Sequence, residues 1–216
     1  MPNAGDYTTA WICAIETEQT AAYLCLDEEH DDLDDVAAND MNCYTLGRVH
    51  QHNVVIATLP YGEYGECSAT GVLKDMLRSF PNLRIGLMVG IGGGAPSSKH
   101  DIRLGDVVVS TPGPGHGGIL QYDFGKSVQC HNFQMSQHLS PPPAILLSAI
   151  NRLKSQYKIK GSPLKRTIDG ILKENNEDIQ QEYQRPDVTS DRLYLPEVVH
   201  PFENTAECSE ICGRAV

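Results

Sequence analysis

The chain has 216 residues, 40% of them hydrophobic, and a formal net charge of −11. This length and composition suit a globular chain with a sizeable core. The acidic balance argues against a general nucleic-acid-binding protein, because no stripe of Lys and Arg that could attract phosphates is visible. No apolar run is long enough for a membrane-spanning helix. The seven cysteines have irregular spacing and no signal peptide is visible, which predicts reduced thiols in a cytoplasmic protein.

The first third of the chain predicts alternating strands and helices. The β-branched and aromatic segment Tyr7–Ile15 predicts the first strand, and Glu16–Cys25 has helix-forming composition. An acidic loop is expected over Asp27–Asp40, because blocks of like charge are usually solvated. Asn42–Val49 and Asn53–Leu59 predict two strands joined in a hairpin.

Helical spacing of apolar residues predicts a core-facing helix over Cys67–Phe80. Its predicted core residues are Val72, Leu73, Met76, Leu77 and Phe80.

The segment Leu83–Ser110 predicts two buried strands joined by a glycine turn. The first strand is the apolar run that ends in the turn Gly90–Gly94, and the second is Val107–Val109. A run that is apolar on both faces is typical of a parallel sheet. Glycines let a ligand approach the backbone closely, and a turn at the end of a buried strand often binds an anion or a sugar. A tight turn without a ligand is the alternative interpretation.

The same turn formally matches the dinucleotide-binding pattern Gly90-x-Gly92-x-x-Ala95. That pattern needs a helix directly after the glycines. Here a polar loop and a strand are predicted instead, so a Rossmann oxidoreductase is disfavoured.

The rest of the chain is less regular. Thr111–Gly118 predicts a flexible loop, and Ile119–Gly125 predicts a short strand. Ser140 is the predicted N-cap of a helix that has three prolines in its first turn and continues to Lys154. A second, weaker helix is expected within Lys158–Glu182.

No metal site is predicted. Cys208 and Cys212 lie four residues apart, but two further ligands at zinc spacing are missing.

Three local motifs occur in order: Trp11–Glu18, Gly62–Ala69, and Val89–Gly94 followed by Leu104–Ser110. Together they resemble the purine and uridine phosphorylase superfamily, which includes the methylthioadenosine/adenosylhomocysteine nucleosidases. The likeness is strongest to the nucleoside phosphorylase-like domains of fungal multidomain proteins. It implies an α/β fold of three layers, α/β/α, with a mixed, mostly parallel central sheet. The corresponding domain is expected over residues 7–157, followed by a polar extension over residues 158–216.

The resemblance implies cleavage of the N-glycosidic bond of a purine nucleoside or nucleotide. Glu18 matches the glutamate that activates water in the nucleosidases, as a general base would. Its alternative role is to complement the dipole of the helix that it begins. Met88 and Ile91 stand where phosphorylases carry the arginine and serine that hold phosphate. Hydrolysis is therefore favoured over phosphorolysis, and no cofactor is expected apart from inorganic phosphate if the protein is a phosphorylase.

The resemblance also implies the backbone and side-chain positions that contact the substrate. These positions are Ala14, Gly62, Gly90, Ile91, Gly92, Gly93 and Asp106.

In this superfamily a later Met-Glu pair holds the ribose and a later aspartate protonates the purine. No methionine follows Met135, so the C-terminal part of the fold is expected to be missing from this chain. A homo-oligomer or further C-terminal domains would then complete the site. Two functions follow: an enzyme, or a non-catalytic module of a multidomain receptor-like protein that senses nucleosides or binds proteins. The expected ligand is a purine nucleoside or nucleotide, with no nucleic acid and no membrane as partner.

Overall fold

The computed structural model describes residues 2–33, 36–127, 129, 133–135, 139–194, 197–202 and 205–212. The chain forms two compact units. The first unit is Met1–Ala95 with Ile171–Tyr183, and the second is Pro96–Gly170 with Gln184–Val216. The predicted division at residue 157 follows the extent of a sequence resemblance rather than compactness, and it stays a prediction.

The first unit is built around a five-stranded sheet in the order β2-β3-β4-β1-β5. Its strands are β1 (Thr9–Cys13), β2 (Glu28–His30), β3 (Tyr44–Val49), β4 (His52–Thr58) and β5 (Ile85–Met88). Strand β1 pairs in parallel with β4 and β5, whereas β3 is antiparallel to both β2 and β4. This mixed sheet with a parallel centre confirms the predicted α/β class.

Helices cover both faces of this sheet. Helix α1 (Glu16–Leu24) buries Ala22 in one cluster, and α2 (Glu66–Ser79) contributes buried residues to the other. Successive strand residues point to opposite faces. In β4, Val54 and Ile56 therefore join the cluster of Ala22, and Val55 and Ala57 join the cluster of α2. The three predicted layers are present within this unit.

The predictions for α1, α2 and the hairpin are confirmed to within two residues. In the hairpin Val49 pairs with His52, and His50 adopts the left-handed conformation with φ 52°. The predicted loop Asp27–Asp40 is wrong in part, because Glu28–His30 forms β2. Arg48 of β3 lies 2.7 Å from Glu28 and joins the two strands by an ion pair.

Helix α2 packs with one face only. Val72, Met76 and the following Phe80 are buried as predicted, and Leu73 is partly buried against them. The prediction for Leu77 is wrong, since its side chain is 51% exposed. The apolar spacing that placed Leu77 in the core covers a wider arc of the helix than the sheet contacts.

Strand β5 is not covered on both faces, contrary to the prediction. Its residues alternate between half-buried and exposed, and Met88 and Ile91 are 60% and 74% exposed. Val107–Val109 is predicted as a strand, but it forms none and its side chains are exposed. A β-branched segment becomes a buried strand only where a neighbour supplies hydrogen bonds and contacts. Among the described strands, β5 pairs with β1 alone.

The strands of the second unit form a small ladder of β6 (Gly125–Lys126) and β7 (Gln134–Met135). The predicted strand Ile119–Gly125 is therefore wrong except at its last residue. Helices α3 (Ala144–Lys160) and α4 (Leu164–Lys173) follow, the second of them ending in the first unit together with α5 (Glu177–Glu182). The weaker helix predicted after residue 158 is thus two helices. Helix α6 (Cys208–Ile211) comes last, in the second unit.

Ser140 does not cap α3. The helix begins at Ala144, and the residue that precedes it is Pro143, which offers no side-chain cap. A proline keeps the residue before it out of the helical conformation, so a run of three prolines holds the chain extended up to its end. The helix also continues beyond the predicted Lys154 to Lys160, and Gly161, whose φ is 76°, follows as its C-cap. No helix in the described part of the chain is long and apolar enough to cross a membrane.

Cys13, the last residue of β1, is expected to resist alkylation. Burial raises the pKa of its thiol to about 11, and the nearby Glu18 carboxylate adds to this rise. Compared with a thiol of pKa 9.0, the reactive thiolate is about 100-fold scarcer below pH 9. Timed labelling with iodoacetamide and peptide mass spectrometry measures the rate, with the exposed Cys67 as the internal control. Equal rates at the two positions would contradict the buried placement of Cys13.

Candidate functional site

The candidate site lies at the carboxyl edge of the parallel strands. Strands β4 and β5 lie on opposite sides of β1. After β1 the chain therefore builds the strands on one side of it, and later adds β5 on the other side. The strand order thus reverses at β1, and open α/β sheets usually bind ligands at such a point. Hydrogen bonds continue the ladder to this edge. Leu59 N donates to Cys13 O and Val89 N donates to Ile12 O, each with a donor–acceptor distance of 3.0 Å.

Glu18 is the side chain that joins the segments of this edge. Its Oε2 atom accepts hydrogen bonds from two backbone N–H groups, that of Ala14 at 2.7 Å and that of Ile15 at 3.3 Å. Its Oε1 atom accepts a hydrogen bond from the backbone N–H of Ile91 at a distance of 2.7 Å. One partly buried carboxylate therefore connects the end of β1, the start of α1 and the glycine turn after β5.

The local sequence explains why Glu18 takes this position. Ile15 precedes the first turn of α1 and has no polar side chain with which to cap the helix. Glu18, three residues later, reaches back to the Ile15 backbone, as the acidic residue of a capping box does. The alternative role as a helix-terminal charge is thus present in the structure, and the bond to Ile91 is additional. The catalytic role of Glu18 stays a prediction.

Gly90 packs closely against the carboxylate of Glu18. A Cβ atom added at Gly90 would lie 2.5 Å from the Oε1 atom of Glu18, which is closer than real Cβ contacts. Gly92 and Gly93 differ, because a Cβ atom added at either would meet no atom within 4 Å. The turn therefore has one glycine held by packing, followed by two that leave open space beside the backbone.

The loop between β4 and α2 lies at the same edge and contains Gly62. Gly62 and Gly65 both have positive φ, at 82° and 92°, which a glycine adopts without strain. Two tyrosine rings of the loop, Tyr61 and Tyr64, are exposed. Sequence reasoning did not select these tyrosines. Aromatic residues alternating with glycines after a strand were the signal that could have identified them.

Seven of the predicted site residues belong to the first unit and lie at this carboxyl edge. They are Ala14, Glu18, Gly62, Gly90, Ile91, Gly92 and Gly93. Asp106 belongs to the second unit. Its Oδ2 atom accepts a hydrogen bond from the backbone N–H of Arg103 at 2.9 Å, and its Oδ1 atom lies 3.8 Å from the guanidinium of Arg185. Its predicted contact with substrate stays a prediction.

The chemistry of the edge disfavours a bound phosphate. Met88 and Ile91, which the resemblance aligns with the phosphate-holding arginine and serine of phosphorylases, have apolar, exposed side chains that cannot donate hydrogen bonds to a phosphate. The N–H group of Ile91 already donates to Glu18. A phosphate placed there would also face the Glu18 carboxylate.

No family model matches this chain, and no solved structure matches it. The chain is similar to a nucleotide-binding leucine-rich repeat (NLR)-like protein of Hyaloscypha variabilis, with 42% identity over 189 residues. The match covers 88% of this chain and 18% of that relative. The chain therefore spans about a fifth of the length of the relative that it matches.

Proposed function

We propose that this chain is a recognition module for purine nucleosides or nucleotides, of the purine and uridine phosphorylase type, within a larger receptor-like protein. The observation that carries the proposal is the Glu18 carboxylate, which holds the glycine turn at the point where the strand order reverses. A preformed turn with open backbone costs little ordering when a ligand binds.

The neighbouring groups suit the two parts of a nucleoside. The backbone of Gly92 and Gly93 has open space beside it, and its N–H and C=O groups are suited to the hydroxyls of a sugar. The exposed rings of Tyr61 and Tyr64 provide flat apolar faces for a purine.

The comparison supports the receptor-like part of the proposal. The relative is named for nucleotide binding and leucine-rich repeats, and this chain matches a segment of it rather than its whole length. We place the module in the cytoplasm, where thiols stay reduced. The cysteines of the described residues, which are not in disulfide bonds, support this location.

Hydrolysis of the N-glycosidic bond is the second candidate function. A carboxylate has about four lone-pair positions, and three backbone N–H groups occupy three of those of Glu18. The fourth can accept the proton of a water whose oxygen attacks the anomeric carbon, while the electron pair of the breaking C–N bond leaves with the base. The name of the relative and the structural use of the carboxylate favour recognition over turnover.

Calorimetry combined with chromatography separates these functions. The full chain is titrated with adenosine, methylthioadenosine, AMP and ATP, with uridine as the pyrimidine control, and each mixture is then assayed for free base. Binding of a purine compound without base release is the expected result. Release of the base without dependence on phosphate would establish hydrolysis rather than recognition alone. Release of the base that phosphate stimulates would exclude hydrolysis. Absence of binding to every purine compound would overturn the proposal.

A further inference from the structure

Three side chains with imidazole or thiol donors meet in the second unit: His200, Cys208 and Cys212. The Nδ1 atom of His200 lies 3.4 Å from the Sγ atom of Cys208 and 3.3 Å from that of Cys212. The three candidate ligand atoms all lie within 4.8 Å of one another. This cluster shares no residue with the proposed nucleoside site.

Local structure brings the two cysteines together. Cys208 begins α6, and the backbone N–H of Cys212 donates to Cys208 O over 3.0 Å. Residues four apart on a helical turn point to the same side, so both thiols face one direction. His200 comes from a segment whose described residues form no helix or strand and which precedes α6 in the chain. It is the ligand that the prediction of no metal site did not include.

The distances fit a shared tetrahedral ion. Zinc lies about 2.3 Å from a sulfur ligand and about 2.0 Å from a nitrogen ligand, which separates the two ligand atoms by about 3.5 Å at the tetrahedral angle. The observed separations of 3.4 Å and 3.3 Å are close to this value. Both sulfur atoms lie at these distances from one ring nitrogen, as they would if all three atoms bound the same ion.

We infer that His200, Cys208 and Cys212 bind a zinc ion. Thiolate and imidazole ligands in a tetrahedral arrangement favour zinc over magnesium or calcium, which prefer oxygen ligands. The described residues supply three ligands, and water or a small molecule takes the fourth position. A cleft of about 420 Å³ borders Cys208. Its other lining residues are Ser190, Arg192, Tyr194, Glu207 and Ser209.

The surroundings indicate a structural use for the ion. Helix α6 is only four residues long, and isolated helices of that length are not stable in water. Val199 and Phe202, beside His200, are exposed and add nothing to a core. An ion that joins His200 to both cysteines would fix this segment, because metal binding and local folding are coupled where no core exists.

The test measures metal directly in the full chain, purified with reductant from cells grown with zinc. Elemental analysis is expected to find about one zinc per chain, and cobalt exchanged into the site is expected to give the visible spectrum of tetrahedral thiolate-bound Co²⁺. The double variant Cys208→Ser/Cys212→Ser is expected to lose both signals. The matched control Cys43→Ser/Cys67→Ser removes two exposed thiols of the first unit and is expected to keep them.

Three results would overturn the inference. The first is background zinc and no cobalt–thiolate spectrum in the unmodified chain, a measurement that does not depend on any variant folding. The second is retention of zinc by the Cys208→Ser/Cys212→Ser variant. The third is a disulfide between the two cysteines in the chain purified under reducing conditions, detected by intact mass before and after alkylation. Each result is independent of nucleoside binding and leaves the proposed function unaffected.

Discussion

Replacing Glu18 with glutamine is expected to weaken the binding of the purine ligand by about 10- to 100-fold. The glutamine amide keeps one acceptor oxygen. Its NH₂ group, a donor, then faces one of the backbone N–H groups that donate to the carboxylate in the unmodified chain. A hydrogen bond to a charged group contributes about 1.5–3 kcal/mol, and its loss releases the glycine turn. Calorimetric titration measures the affinity. If the chain also hydrolyses the ligand, base release is expected to fall by about 10²–10⁴-fold.

Two matched variants show whether the effect comes from the turn. Glu16→Gln removes an exposed carboxylate of the same helical turn and is expected to leave the affinity within about twofold. Gly90→Ala keeps the carboxylate but places a Cβ atom 2.5 Å from it, so it is expected to reproduce the loss of affinity. Unchanged affinity in both Glu18→Gln and Gly90→Ala would contradict the proposed site. Urea unfolding of each variant separates a local effect from a global loss of structure.

Replacing Phe80 with alanine is expected to destabilise the chain by about 3–5 kcal/mol. Phe80 is fully buried, and its ring packs edge to face against Tyr7 and Tyr44 at centroid distances of 5.5 Å and 5.0 Å. The substitution leaves a cavity between α2 and the sheet. A loss of this size is a large part of the stability of a typical domain. Urea denaturation followed by circular dichroism measures the free energy of unfolding.

Leu77→Ala is the control for this prediction. Leu77 lies on the same helix but is half exposed, so its truncation is expected to cost about 1 kcal/mol or less. If the two truncations destabilised the chain equally, the face of α2 that contacts the sheet would be wrongly assigned.

The sequence was sufficient where structure depends on local periodicity. Helices α1 and α2 and the hairpin of β3 and β4 follow from patterns within single segments. The exposure of β5 and the lack of a strand at Val107–Val109 could not be predicted, because each depends on whether another segment lies alongside. The apolar residues in these segments are the same whether or not a neighbour covers them.

The candidate site divides in the same way. The position of Glu18 in the first turn of a helix was predicted from the composition of Glu16–Cys25, whereas its cap on Ile15 was not. Its bond to Ile91 joins residues 73 positions apart, which no local pattern encodes. His200 shows the same limit, since a histidine eight residues before a cysteine matches no standard zinc spacing.

The triple attachment of Glu18 gives the first unit a thermodynamic property. A ligand that binds the glycine turn contacts a segment held by the same carboxylate that caps α1 and holds the end of β1. Its binding energy would therefore stabilise all three segments. By mass action, a ligand at 100 times its dissociation constant stabilises the folded state by about 2.7 kcal/mol. Under the proposed function, ligand concentration would set the resistance of this unit to unfolding. A module inside a longer chain can transmit that resistance as a signal without catalysing any reaction.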